Sequence, residues 1–353
     1  MESPYIDALL DDLSSQQEGF AGRQLVSIFV GGGTPSLFSD RAFGRLLSGI
    51  NRHIPLAPDC EITLESNPGS AEAKKFAGYR AAGVNRLSIG VQSFQDDQLL
   101  QLGRIHSGDN ARVACDLAAQ HFDRFNIDLM HGLPNQTVDS ALDDLHEGIA
   151  RTGGHLSWYQ LTIEPNTVFY SKPPIIPAED VLADIQDAGE AALNSAGFVQ
   201  YEVSAWARAS QTSKHNLNYW QFGDYLGIGA GAHGKLTGAD GTIRRHRRTR
   251  LPADYLASVG KRQPTIEDAI RHRDLPGEFM LNALRLKDGV ATRLFEQRTG
   301  LGLDTVETTV TGLRDRGLLM PIASGRLQTT AVGFRFLNDV LTAFLSDDER
   351  FAN

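Results

Sequence analysis

Residues 25–36 read LVSIFVGGGTPS, an apolar run from Leu25 to Val30 that ends abruptly in three glycines. A β-branched and aromatic run of this length is a buried strand, and glycines at its end let the backbone turn sharply or approach a ligand closely. The spacing differs from the GxGxxG of dinucleotide folds and lacks the Lys-Ser/Thr of a P-loop. Four further runs follow the same plan: 61–64 (EITL), 86–91 (RLSIGV), 125–130 (FNIDLM) and 156–162 (LSWYQLT). Segments between them carry apolar residues at helical spacing, such as Phe43, Leu46, Leu47 and Ile50, or Val113, Leu117 and Ala118. Strands alternating with helices at this interval make βαβ units and a parallel α/β sheet. Five strands are too few for a closed eight-stranded barrel, and chemistry is expected at their carboxyl ends.

Farther out, the chain has 353 residues, 41% apolar and 22% charged, enough for about two domains. We partition it into a β/α domain over 1–196, a connecting β and aromatic segment over 197–263, and a helical domain over 264–353. In the last, helices are expected at 279–286, 290–297, 305–314 and 332–344, with GLLMPIASGRLQTT as two short strands around a Ser-Gly turn. That arrangement suggests a winged-helix-like domain. With 34 basic and 43 acidic residues the net charge is −9, and no nucleic acid is expected as a partner. There is no apolar run of membrane-spanning length, and the opening MESPYIDALLDDL carries acids where a signal peptide has bases, so a cytoplasmic protein is expected. Helix 6–13 is expected to cover the first strand's edge with Leu9, Leu10 and Leu13. The two cysteines, Cys60 and Cys115, rule out a disulfide framework and any cluster held by four protein thiolates, and both are expected to be small buried residues.

Polar residues recur where strands end. Gly32, Gly33 and Thr34 follow the first, Glu65, Ser66 and Asn67 the second, Gln92 and Ser93 the third, and Asp128 lies in the fourth. Singly each suits a turn; together they converge on one face of a parallel sheet. A second set is HNLNYW, with His215, Asn216, Tyr219 and Trp220, a combination that fits either an aromatic core or a flat ligand. His233 in GAHG and the run RRHRRTR (244–250) are weaker candidates, read by default as a structural histidine and a solvated strand.

Taken in order, GGGTPS, LESNPG, GVNRLSIGVQSF, LGRIHS, NIDLMHGLP, LSWYQLTIEPNT, HNLNYW and GIGAGAHG resemble the radical S-adenosylmethionine (SAM) family related to oxygen-independent coproporphyrinogen III oxidase, and within it the HemW-type heme chaperones. The resemblance runs from about Leu25 to the carboxyl end. It implies an incomplete radical-SAM (β/α) partial barrel with a C-terminal helical domain. It further implies a SAM site of Gly32, Gly33, Thr34, Glu65, Gln92, Arg104 and Asp128. His215, Asn216, Tyr219 and Trp220 become heme-binding positions, with His215 as iron ligand. Family members hold a [4Fe-4S] cluster on a C-x3-C-x2-C loop upstream of GGGTPS; no such cysteines precede it here, so reductive SAM cleavage is not expected. The implied function is heme binding and delivery to apo-hemoproteins, those of the respiratory chain among them, with peripheral membrane contact. The alternative is a radical SAM oxidoreductase whose cluster-binding start is missing from this sequence.

Overall fold

The computed structural model describes residues 2–165, 167–258, 266–321 and 325–345. The chain divides into two compact units: Val26–Leu47 with Pro58–Ser213, and Met1–Leu25 with Ser48–Ala57 and Lys214–Asn353.

The first unit is built on one sheet. Its strands are β1 (Leu25–Val30), β2 (Leu56–Ser66), β3 (Arg86–Gln92), β4 (Phe125–His131), β5 (His155–Gln160), β6 (Val199–Glu202) and β7 (Ala205–Ala207), in the order β1-β2-β3-β4-β5-β7-β6. Strands β2 to β5 pair in parallel, whereas β7 joins β5, and β6 joins β7, antiparallel. The sheet is thus an open α/β half-barrel, extended by two strands from the segment after residue 197. β2 begins five residues earlier than the EITL run suggests.

Register explains how the two faces differ. Leu64, Leu87, Ile89, Ile127, Leu129, Leu156 and Trp158 are all buried, and helices cover them. The helix Val138–Arg151 lies so close that a Cβ on Gly148 would stand 2.5 Å from Leu129, and the helix Glu179–Ser195 brings Gly189 against the Trp158 ring. Alternate positions carry Thr63, Glu65, Arg86, Ser88, Asn126, Asp128, His155 and Ser157 on the opposite face, because successive side chains point to opposite sides of a strand. A buried polar face needs internal partners. Asn126 donates to Ser88 (2.9 Å) and Asp128 (2.7 Å), while Glu61 accepts from Arg124 (3.1 Å) and Ser213 (3.1 Å) with Arg86 at 4.0 Å. Capping boxes at Ser107 and Thr137 start the helices Gly108–His121 and Val138–Arg151.

In the second unit, β8 (His233–Thr237), β9 (Ile243–Arg247) and β10 (Ile266–Ala269) form an antiparallel sheet. The amino-terminal helix Glu2–Ser15 contacts the helix Pro252–Ala257. Its described contacts differ from the expected edge cover: Leu10 lies against Gly49, Leu9 against Gly229, and buried Asp12 pairs with Arg248 at 2.5 Å. Arg248 is therefore a core residue, in contrast to the solvated run expected of RRHRRTR.

The carboxyl-terminal part holds the helices Leu275–Ala283, Thr292–Thr299 and Glu307–Asp315, with β11 (Val290–Ala291) paired antiparallel to β12 (Arg326–Leu327). Val290 and Ala291 are extended, not helical, because they pair with Leu327 and Arg326. The expected 332–344 helix is two, Ala331–Arg335 and Leu337–Thr342, broken where Phe336 takes φ −106° and ψ 41°. Phe279 links Phe222 (5.7 Å) to Phe295 (5.2 Å) edge to face. Residues 322–324, within the expected Ser-Gly turn, and 259–265, spanning the 263/264 boundary, lie outside the described residues.

Candidate functional site

In the first unit, the glycine turn after β1 is open where a ligand would enter. Gly32 and Gly33 have φ of +86° and +62°, a region that favours glycine, and nothing lies within 4 Å of where a Cβ would stand at either. At Gly31 a Cβ would stand 2.7 Å from Phe29 and 2.8 Å from the Glu65 carboxyl. The close approach lets Glu65 accept the Gly32 N–H at 3.0 Å. Burial raises the Glu65 pKa, the Gly32 N–H opposes the rise, and the Asp128 charge adds to it. Asp128 is raised by burial as well, against the pull of hydrogen bonds from Ser157 and Asn126 and of Arg86's charge. A carboxyl raised by burial and by the charge of a second one nearby marks a place suited to hydroxyls and an ammonium.

Gln92 ends β3 in a left-handed conformation, φ +70°, after a register shift against β4. There its Oε1 accepts from the Tyr159 hydroxyl at 2.7 Å. Burial pushes the Tyr159 phenol up to about 12; Asp128 and Glu65 reinforce this and Arg104 counters it. Gln92 thus holds the Tyr159 hydroxyl, and the charges of Glu65, Arg104 and Asp128 all reach it, with Arg104 itself exposed. Thr34 contributes a carbonyl to the Leu37 N–H. Asp144, on the helix Val138–Arg151, holds the turn behind Gln92 by accepting from Ser93 Oγ (2.6 Å) and Phe94 N–H (2.7 Å). Its burial raises its pKa to about 6.

Tyr159 and Asp144 were missed in the sequence. Tyr159 sits at the carboxyl end of β5, where the strand-end rule applied to Gln92 would have found it. Asp144 stands on the buried side of a helix, where an acid needs partners.

The cysteines fit no cluster. Cys60 lies in β2 and Cys115 in the helix Gly108–His121; both are buried, and burial pushes the Cys115 thiol up to about 12, away from the thiolate that binds iron. Two such thiols cannot supply three ligands, so the residues present do not fit a [4Fe-4S] cluster. Among the described residues no group of three or more His, Cys, Asp or Glu side chains is arranged to hold a metal ion.

In the second unit HNLNYW forms a short helix, Lys214–Trp220, in a segment whose sequence lacks helical periodicity. One turn apart on it, His215 and Tyr219 meet edge to face at 4.8 Å, and Tyr219 lies at 4.3 Å and 37° to Tyr225. All four motif residues are half-buried. Burial pushes the Tyr219 phenol up to about 12 and raises that of Tyr225. The Arg285 guanidinium lies over the Trp220 ring at 4.4 Å. His215, Tyr219 and Tyr225 therefore form one aromatic set, with the Trp220 ring 6.5 Å from that of Tyr219.

Residues 7–147 match the Radical SAM superfamily and residues 270–336 the HemN C-terminal domain. The solved coproporphyrinogen III oxidase (HemN) from Escherichia coli, described as a radical SAM enzyme, aligns with a TM-score of 0.79 and 22% identity over 98% of this chain and 83% of that one. Together with the half-barrel and its glycine turn, these matches define a radical SAM-type protein with a HemN-type carboxyl-terminal domain. Heme chaperone HemW of Haemophilus influenzae is 46% identical over 98% of this chain and 91% of its own length, that of Escherichia coli 46% over 97% and 90%, and that of Bacillus subtilis 32% over 97% and 91%. The chain belongs to the HemW family of heme chaperones.

Proposed function

We propose that this chain binds heme at the His215–Tyr219–Tyr225 set and passes it to an apo-hemoprotein, those of the respiratory chain being the first candidates. The observation that supports this most is the half-buried imidazole one helical turn from a tyrosine that stacks on a second, in a member of a heme chaperone family. A neutral imidazole is a ligand for heme iron, and aromatic faces pack against a porphyrin plane. Asn216 precedes the set on the same helix and is assigned to heme with it. In this reading the protein works in the cytoplasm; no described helix is long and apolar enough to cross a membrane.

The open turn at Gly32, Gly33 and Thr34, with Glu65, Gln92, Arg104 and Asp128, is assigned to S-adenosylmethionine, which brings a sulfonium and an amino-acid end to any site it occupies. Glu65 and Asp128 suit its ammonium and ribose hydroxyls, Gln92 its polar groups, and Arg104 its carboxylate.

Hemin titration of the purified protein tests the heme reading. A saturable Soret shift at one heme per chain is expected, weakened at least tenfold in His215→Ala. Identical spectra for both proteins would count against His215 as ligand.

A further inference from the structure

The sheet β8-β9-β10 carries an unassigned feature beside the aromatic set. Tyr225 bridges Lys235 of β8, exchanging backbone hydrogen bonds of 2.8 and 2.9 Å, and Lys235 pairs with Arg245 of β9. Directly paired residues point to the same side, so Tyr225, Lys235 and Arg245 form one row, with Tyr225 and Arg245 about 10 Å apart at two strand spacings. The next row on that side is His233 and Arg247, also paired.

Burial separates the two sides of β9 from Arg245 onward, while Ile243, on the side of Arg245, is buried. His246 and Arg248 point to the buried side, whereas Arg245, Arg247 and His233 are exposed. Arg245 and Arg247 therefore share the face that carries Tyr225, against which Tyr219 packs, and Asp268 of β10, paired with Arg245, lies on that face too. Proximity shows in the electrostatics too: Arg245 and Glu278 both act on the Tyr225 phenol. Lys235 is occupied, its ammonium lying over the Phe222 ring at 4.0 Å and donating to the Phe222 carbonyl at 3.1 Å. Arg245 is bound differently. It pairs with Glu278, but its side chain is 46% exposed and Glu278's is 21%, and an ion pair so open to water is held weakly. A ligand carboxylate arriving beside Tyr225 exchanges for Glu278 at small cost, because guanidinium takes a carboxylate in a two-pronged bond.

We infer that Arg245 and Arg247 form a carboxylate subsite for the paired propionates of a tetrapyrrole whose plane rests on Tyr219 and Tyr225; this rests on the heme reading of His215. Residues i and i+2 on a strand present two guanidiniums to one side, matching the two acid chains on one edge of heme. The tetrapyrrole edge is then fixed by charge and its plane by aromatic contact. A porphyrin without free acids satisfies only the second.

The test compares hemin with hemin dimethyl ester, which has the same iron and plane but no carboxylates. The full chain is titrated with each, following the Soret band, as wild type, as Arg245→Gln/Arg247→Gln, and as Arg244→Gln, whose side chain lies on the other side of β9. Wild type and Arg244→Gln are expected to bind hemin at least tenfold more tightly than the ester, and the double variant to bind both alike. Equal binding of both porphyrins by wild type, or an undiminished preference in the double variant, overturns the subsite while leaving the heme reading standing. Binding of neither porphyrin by wild type overturns the heme reading itself, and the subsite with it.

Discussion

Replacing Asp144 by asparagine should make the protein's stability less dependent on pH in the acidic range. The carboxyl is 3% exposed, and burial lifts its pKa to about 6 despite hydrogen bonds from Ser93 and Phe94. A group whose pKa is higher folded than unfolded stabilises fully below the unfolded value, and the contribution is lost as pH rises through the folded value. For Asp144 the window runs from about pH 4 to about pH 6. A rise from 3.8 to about 6, at about 1.36 kcal/mol per unit, amounts to about 3 kcal/mol. Asparagine keeps the shape and does not titrate. The stability of Asp144→Asn minus that of wild type should therefore climb by about 3 kcal/mol between pH 3 and pH 7. Urea unfolding of both proteins across that range measures it, and the subtraction removes other groups that titrate alike in the two. A difference flat with pH would refute the reasoning. So would one that falls, since Asp144 would then be stabilised as the anion.

Asp12 is held by Arg248 at 2.5 Å and by the Tyr255 hydroxyl at 2.8 Å, and removing it takes the carboxylate away from a buried guanidinium. Asp12→Ala should cost about 3–5 kcal/mol in denaturant unfolding, and Asp12→Leu/Arg248→Met should recover most of it; a loss below 1 kcal/mol would show the pair to be solvated. Gly31→Ala puts a methyl into the Phe29 ring and the Glu65 carboxyl and should cost about 1–3 kcal/mol by thermal or urea unfolding, while Gly44→Ala, with open space around it, should not be lowered. Ser107→Ala removes the cap that accepts from Asn110 and should cost about 1 kcal/mol, with faster amide exchange confined to the first turn of the helix Gly108–His121.

The strands that carry the half-barrel were legible because each apolar run ends in polar or glycine residues, and four of the five expected cores keep their places within a residue or two. β2 was read short because Pro58 and Asp59 look like turn residues, yet both are extended. The polar face went unread: in EITLE, RLSI and NIDL every second residue is polar, but only the register shows that these positions align. Glu65, Gln92 and Asp128 were legible from strand ends alone. Asp144 and Arg248 were not, since their partners are about 50 and 236 positions away in the chain. The HNLNYW helix escaped because its aromatic residues sit one turn apart on a segment only two turns long, too short for periodicity to declare itself. Arg285 over the Trp220 ring is a contact that no local pattern announces.

The most direct test of the central claim is heme transfer. Protein loaded with one equivalent of hemin is mixed with apomyoglobin, an acceptor whose holo spectrum is distinct, and the Soret band is followed against hemin released into buffer alone. Heme should move to the acceptor from wild type at a rate that rises with acceptor concentration, and His215→Ala, poorly loaded, should deliver proportionately less. Heme that stays bound to wild type in the presence of excess acceptor, or that loads and leaves identically with and without His215, would contradict that claim.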